Sequence, residues 1–402
     1  MIVKKFIFFN FLVFIIVACT SRVENEFSAE GANPLEKGYT PHPEHERMLY
    51  PDIEANELEI LNIEDILDEV PENIQLLYDL LNNNSHHITK ELDLILSSQH
   101  SFQAVSIDIN TLIILDLERN RLIQYNISDN NYHILAPEGR GPGDLLFTRE
   151  LQILNNQVYI AMQGFRISIF ECEFELLCEY KRTIATNFNN YSLSPTDDYI
   201  TVLGLYPFGR EQDPNPAKFN VPSVHIVDSD GSIIRSFSQV YKHIQPIVRE
   251  QMNSRGAIRS FPSLETHLLT FNLFPYIYLY DNNSNLKKKY RIPNFKQGYY
   301  DFNEDEMRGR FRLNDDSLIN NTIKLNSTWV LFQIRNREGM IWNNGLQGRH
   351  WYTYYAFNVV SHKLYKIGED SASNINEGRS IYITKHGLLI SEKGTSLYWI
   401  GT

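Results

Sequence analysis

An all-β fold built from a repeating four-strand unit is the class this sequence predicts, and three observations predict it. Short apolar runs recur from Ile88 to the C-terminus, separated by Asn-, Asp- and Gly-rich turns, in a chain with 23 Tyr and 23 Phe. The runs group into units, each with a short first strand followed by three more. The last unit stops after its third strand, while an unassigned alternating segment, Glu91–Leu96, precedes the first unit. A ring in which the N-terminal strand completes the C-terminal sheet accounts for all three. The expected fold is therefore a six-bladed β-propeller over residues 88–402, closed by an N-terminal strand.

The first nineteen residues are read as an export signal. Lys4 and Lys5 precede the apolar run Phe6–Val17, which is too short to span a bilayer. Ile16-Val17-Ala18-Cys19 resembles a bacterial lipobox, which implies lipidation of Cys19, and residues 20–55 then read as a flexible tether. The expected localisation is an exported protein held to the outer membrane by that lipid. In residues 56–87, Leu58, Leu61, Ile66, Leu67 and Val70, then Ile74, Leu77, Tyr78 and Leu81, recur at helical spacing on either side of Pro71. Two short amphipathic helices are expected there.

The second strands of the six units are Leu112–Asp116, Val158–Ala161, Ile200–Gly204, Leu268–Phe271, Trp329–Ile334 and Leu388–Ser391. The third strands are Leu122–Asn126, Ile167–Glu171, Val224–Asp228, Tyr276–Asp281, Tyr352–Asn358 and Leu397–Ile400. Asp228-Ser229-Asp230-Gly231 is the kind of turn expected before a fourth strand. Units one and two are joined by the corner Glu138-Gly139-Arg140-Gly141-Pro142-Gly143-Asp144, whose three glycines and proline exclude helix and ladder alike.

This corner, with Arg166-Ile167-Ser168-Ile169-Phe170 after it and the lipobox before it, resembles the six-bladed propeller lipoproteins of Bacteroidetes, relatives of NHL-repeat and TolB-like propellers. The resemblance implies a binding or scaffolding role at the cell envelope and no general enzymatic activity. It is strongest in the first two blades.

Strand alternation sorts the loops by face. Those between strands one and two, or three and four, are short throughout, as at Asn155–Gln157 and Asn326–Thr328. The other face takes every long connection: Ala136–Glu150, Tyr206–Pro222, Ser238–Ser260, Pro293–Asp316, Arg335–His350 and Gly368–Gly378. Long loops on a rigid scaffold are where recognition is built. Although the chain carries a net charge of −12, that face holds Arg140, Arg149, Arg210, Arg249, Arg255, Arg259, Arg308, Arg310, Arg312, Arg335, Arg337 and Arg349. Guanidinium forks suit carboxylate, sulfate and phosphate. The candidate ligand-binding residues are Arg140, Arg149, Arg210, Arg259, Arg335, Trp342, Arg349, His350 and Trp351. The bland alternative for any one arginine is an internal pair with a loop carboxylate, and Arg140 is expected to hold its own corner.

A monomer is expected, and the partners expected are an envelope protein, a peptide or an anionic glycan. The acidic balance argues against nucleic acid. No cofactor is expected. The glycine-rich corner leads into a strand rather than a helix, so it lacks the amides of a phosphate loop. The histidines have no metal spacing, and no Gly-x-Ser-x-Gly elbow is present. Cys172 and Cys178 are read as free thiols, with a disulfide as the alternative in an oxidising compartment. One enzymatic reading competes: a metal-dependent lactonase or esterase using Glu150, Asn190 and Asn321 as oxygen ligands in the central channel.

Overall fold

A computed structural model describes residues 58–64, 70–82, 90–94, 96, 102–173, 176–206, 222–239, 252–296, 299–303, 308–312, 317–341, 347–372, 380–392 and 396–401. The expected signal and tether, with Cys19, lie outside these residues, as do Arg210 and Trp342.

The N-terminal segment forms β1 (Leu58–Ile60), β2 (Ile63–Glu64), helix α1 (Glu72–Asn82) and β3 (Lys90–Leu92). Blade 1 follows as β4 (Phe102–Ser106), β5 (Thr111–Asp116), β6 (Arg121–Asn126) and β7 (Asn131–Ala136). Blade 2 is β8 (Thr148–Leu154), β9 (Gln157–Met162), β10 (Arg166–Glu171) and β11 (Glu179–Ala185). Blade 3 is β12 (Asn189–Pro195), β13 (Ile200–Leu205), β14 (Pro222–Val227) and β15 (Ile233–Gln239). Blade 4 is β16 (Gly256–Phe261), β17 (Thr266–Phe271), β18 (Tyr276–Asp281) and β19 (Leu286–Arg291). A separate two-stranded hairpin, β20 (Tyr299–Asn303) and β21 (Arg308–Arg312), comes next. Blade 5 is β22 (Ser317–Lys324), β23 (Trp329–Ile341), β24 (Gln347–Asn358) and β25 (Lys363–Ala372). Blade 6 is β26 (Ser380–Thr384), β27 (Gly387–Glu392) and β28 (Ser396–Gly401), completed by β3, which sets Leu92 opposite Leu397. The protein is a six-bladed β-propeller closed by its N-terminal strand.

Middle strands are buried on both sides because each blade is covered by its two neighbours. Leu112 to Leu115 are all fully buried, which is why these strands read as unbroken apolar runs rather than alternating ones. Five seams between blades are aliphatic and aromatic clusters. The seam between blades 3 and 4 is more polar. There the Ser192 and Ser194 hydroxyls accept from the backbone amides of Ile258 and Ser260, at 3.1 and 2.8 Å. Phe237 packs against Tyr280 and His267 in the same seam.

Three expectations are corrected. Among the described residues only the second of the two expected helices is present, as α1. Leu58 to Glu64 instead form two edge strands, β1 parallel to β19 and β2 parallel to β25. The helical spacing misleads because Leu61, between these strands, is buried in the cluster joining blades 4 and 5, and neighbouring blades supply the backbone partners. Second, Cys172 and Cys178 form a disulfide. The return strand β11 starts at Glu179, later than its apolar residues suggest, so both cysteines fall in one loop with their Cα atoms 4.1 Å apart. Third, Asp144 rather than Arg140 holds the glycine corner. Its carboxylate accepts the Gly141 amide at 2.8 Å and its own amide donates to the Gly141 carbonyl at 3.1 Å, whereas Arg140 is exposed. Gly143 has φ +83° and lies against the Tyr180 ring, where a Cβ would sit 3.1 Å from the nearest ring atom.

Candidate functional site

The loop asymmetry survives in three dimensions. On one face the connections within blades run from two residues (Asn155, Asn156) to the seven of Cys172–Cys178. The glycine corner and the long β23–β24 hairpin lie on the opposite face, and β13, β15, β19 and β25 end at that face, where the connections that follow them begin. The innermost strands β26, β4, β8, β12, β16 and β22 follow one another around the axis. On the elaborated face, their N-terminal ends form the mouth of the central channel.

Three of those strands break register at the same place. β8 is bulged between Thr148 and Glu150, β12 between Asn190 and Ser192, and β22 between Ile319 and Asn321. The extra residues are Arg149, Tyr191 and Asn320. A bulge frees one residue from the ladder and re-aims its side chain. The Arg149 guanidinium lies over the Tyr191 ring, 5.9 Å from its centroid, so two of these residues meet across the seam between blades 2 and 3. Arg149 also donates to Gln163 Oε1, and Asn320 Nδ2 donates to Gln333 Oε1 at 2.8 Å.

Two more arginines complete the mouth. Arg255 directly precedes β16, and its carbonyl accepts from Asn272 at 2.8 Å. Arg335 sits on β23 opposite Leu318 of the inner strand β22. Although Arg255 keeps solvent contact, surrounding protein and the charges of Arg335 and Arg149 push its guanidinium below its ordinary range. The Nε of Arg335 is buried without a hydrogen-bond partner among the described residues. Arg149 and Arg335, from blades 2 and 5, thus lie within electrostatic reach of Arg255 on blade 4, and Arg335 leaves a donor unused among the described residues.

One layer deeper the channel wall is self-satisfied. Arg259 Nη2 donates to Glu150 Oε1 at 2.6 Å, with both side chains buried. Arg259 also donates to the carbonyls of Thr322 (2.8 Å) and Ile258 (2.7 Å) and to the Ser192 hydroxyl (3.2 Å). Glu150 Oε2 accepts the Leu193 amide at 2.6 Å. Arg259, a ligand candidate by sequence, is therefore a brace across blades 2, 3, 4 and 5.

The same contacts weigh against the metal reading. Both Glu150 oxygens are committed to Arg259 and Leu193. Asn190 Oδ1 accepts from Thr186 while Nδ2 donates to the carbonyls of Met162 and Arg166, and Asn321 Nδ2 donates to Gln333. A cation at Glu150 would have to displace Arg259. Among the described residues no group of three or more His, Cys, Asp or Glu is placed to hold a metal ion. Ser260 Oγ and His267 Nδ1 lie 2.9 Å apart, but both residues are buried in the seam between blades 3 and 4. That pair is part of the packing.

The structure divides the remaining candidates. Arg335 pairs with Tyr352 and Arg337 with His350, so these four share one side of the β23–β24 ribbon. Trp351 pairs with Asn336 on the other side, because successive strand residues point to opposite faces. Arg349 pairs in register with Glu338, and its side chain lies outside the described residues. Arg140 is exposed at its corner. Asn320, read by sequence as a possible oxygen ligand at an inner-strand entry, instead donates to Gln333 from a bulge. Tyr191, and the position of Arg255 between two other arginines, were not singled out by sequence. The only sequence signal for Tyr191 is a break in period-two alternation at equivalent places in three inner strands.

No known family's sequence profile matches the chain, and no curated protein matches its sequence. Solved structures do resemble it. A member of the DUF4221 family from Bacteroides vulgatus aligns at TM-score 0.49 and 8% identity, over 78% of this chain and 96% of that one. A Bacteroides fragilis protein described as exported aligns at TM-score 0.43 and 10% identity, over 85% and 98%. A streptogramin B lyase aligns at TM-score 0.40 and 10% identity, over 78% and 97%. At these identities no residue role passes from those proteins to this chain.

Proposed function

We propose that this protein is an exported, envelope-anchored binding scaffold whose propeller receives an envelope protein, a peptide or an anionic glycan on its elaborated face. The concentration of every long connection on that one face carries the reading. The buried Glu150–Arg259 pair supports a binding role over metal hydrolysis, since it fills the channel wall where ligand oxygens would be needed. The Cys172–Cys178 disulfide suits an oxidising compartment outside the cytosol. Cys19 is the expected lipid anchor, so Cys19→Ser should move the protein from the membrane fraction to the soluble fraction; retention in the membrane fraction would refute the anchor.

The face assignment is tested by photo-crosslinking in the native envelope. A photoreactive residue at Phe165, exposed in the β9–β10 turn of the elaborated face, should capture a partner. One at Asn156, in the β8–β9 turn of the bare face, should not. Capture from Asn156 alone would overturn the assignment.

A further inference from the structure

The mouth of the channel carries an inference that rests on the reading above and sharpens its ligand. We infer that Arg149, Arg255 and Arg335 form one oxyanion site, which takes a multiply charged carboxylate, sulfate or phosphate group at the axis of the propeller.

Three independent observations carry it. The bulge in β8 takes Arg149 out of the ladder, and the contacts with Gln163 and the Tyr191 ring hold its guanidinium in place. Arg335 has a buried Nε with no acceptor among the described residues, and an oxyanion would supply one. Burial first, and then the charges of Arg335 and Arg149, push the Arg255 guanidinium below its ordinary range, and a bound anion would offset both. A dianion matches the site better than a monoanion, because three forks converge on it. The Glu150–Arg259 brace lies one layer below and is fully engaged. The bound group is therefore the end of a ligand held at the mouth.

The test uses titration calorimetry on the mature chain without its lipid anchor, with citrate, inorganic phosphate and inorganic sulfate as probes and acetate as the monovalent control. Binding of citrate over acetate by at least tenfold is expected, weakening as salt rises. Arg255→Gln and Arg335→Gln should each weaken citrate at least tenfold, with Arg335→Lys intermediate because it keeps charge but loses the fork. Arg182→Gln, an equal charge change on the exposed outer strand of blade 2, should leave citrate binding unchanged. Equal weakening by Arg182→Gln would mean diffuse attraction and would overturn the site, as would binding unaffected by the Arg255 and Arg335 changes. Thermal unfolding of each variant separates lost binding from lost fold. A partner still captured from Phe165 when all the small anions fail would sink the oxyanion site and leave the scaffold reading standing.

Discussion

Lowering the pH from 7 to 4 is expected to cost this protein about 6 kcal/mol of stability through two buried histidines, as much as the whole stability of a domain at the low end of the ordinary range. His225 stacks on Phe188 with ring centroids 4.1 Å apart and is fully buried. His267 packs between Phe237 and Tyr199, across the seam between blades 3 and 4. Burial is the main cause that pushes each imidazole down from 6.5 to about 4. The hydrogen bonds explain why the neutral form is required. The Ser260 hydroxyl donates to Thr201, so it accepts from His267 Nδ1–H, and Nε2 has no partner among the described residues. A second proton would create a buried donor with nowhere to go.

Above pH 6.5 both states are neutral and stability is at its plateau. Between 6.5 and 4 the unfolded chain takes up protons that the folded one refuses, so stability falls. Below 4 both states are protonated and no more is lost. Each site contributes about 3 kcal/mol across that window. Urea midpoints at pH 7, 5.5 and 4 should therefore drop steadily, and His225→Gln with His267→Gln should flatten the curve. An unchanged slope in the double variant would show that other groups set the acid limit.

Removing one partner of the Glu150–Arg259 pair should cost about 3–5 kcal/mol, because the other charge stays buried and uncompensated. Arg259→Met leaves the Glu150 carboxylate with only the Leu193 amide and the weaker Gln152 contact. Glu150→Leu leaves Arg259 facing carbonyls and a hydroxyl. The double variant Glu150→Leu/Arg259→Met should lie closer to wild type than either single one, since no charge remains unpaired. A double-mutant cycle by urea denaturation measures this, and additive losses would show that the two side chains do not depend on each other. The brace lies beneath the arginine mouth, so Arg259→Met should also loosen any anion held by Arg149 and Arg255.

What the sequence determines by itself is local or periodic. The blade rhythm, the unpaired last unit and the short and long loops on alternate faces depend only on strand spacing and turn chemistry within about fifty residues. Each can be read without knowing what packs on what. The closure by β3 is legible for the same reason, since a strand without a unit and a unit without a strand imply each other. The tertiary structure alone decided which arginines meet. Arg149 and Arg255 come within electrostatic reach through the ring and a one-residue bulge whose only trace in the sequence is a break in alternation, which names no partner. Glu150 and Arg259 lie 109 residues apart in the chain, and only burial in a shared wall turns two expected ligands into a brace. The edge strands β1 and β2 carry helical spacing, while their backbone partners belong to blades 4 and 5, more than two hundred residues away, and no local pattern marks them. Hydrophobic spacing reports what must be buried; the partner that satisfies the backbone or the charge is set by the assembled ring.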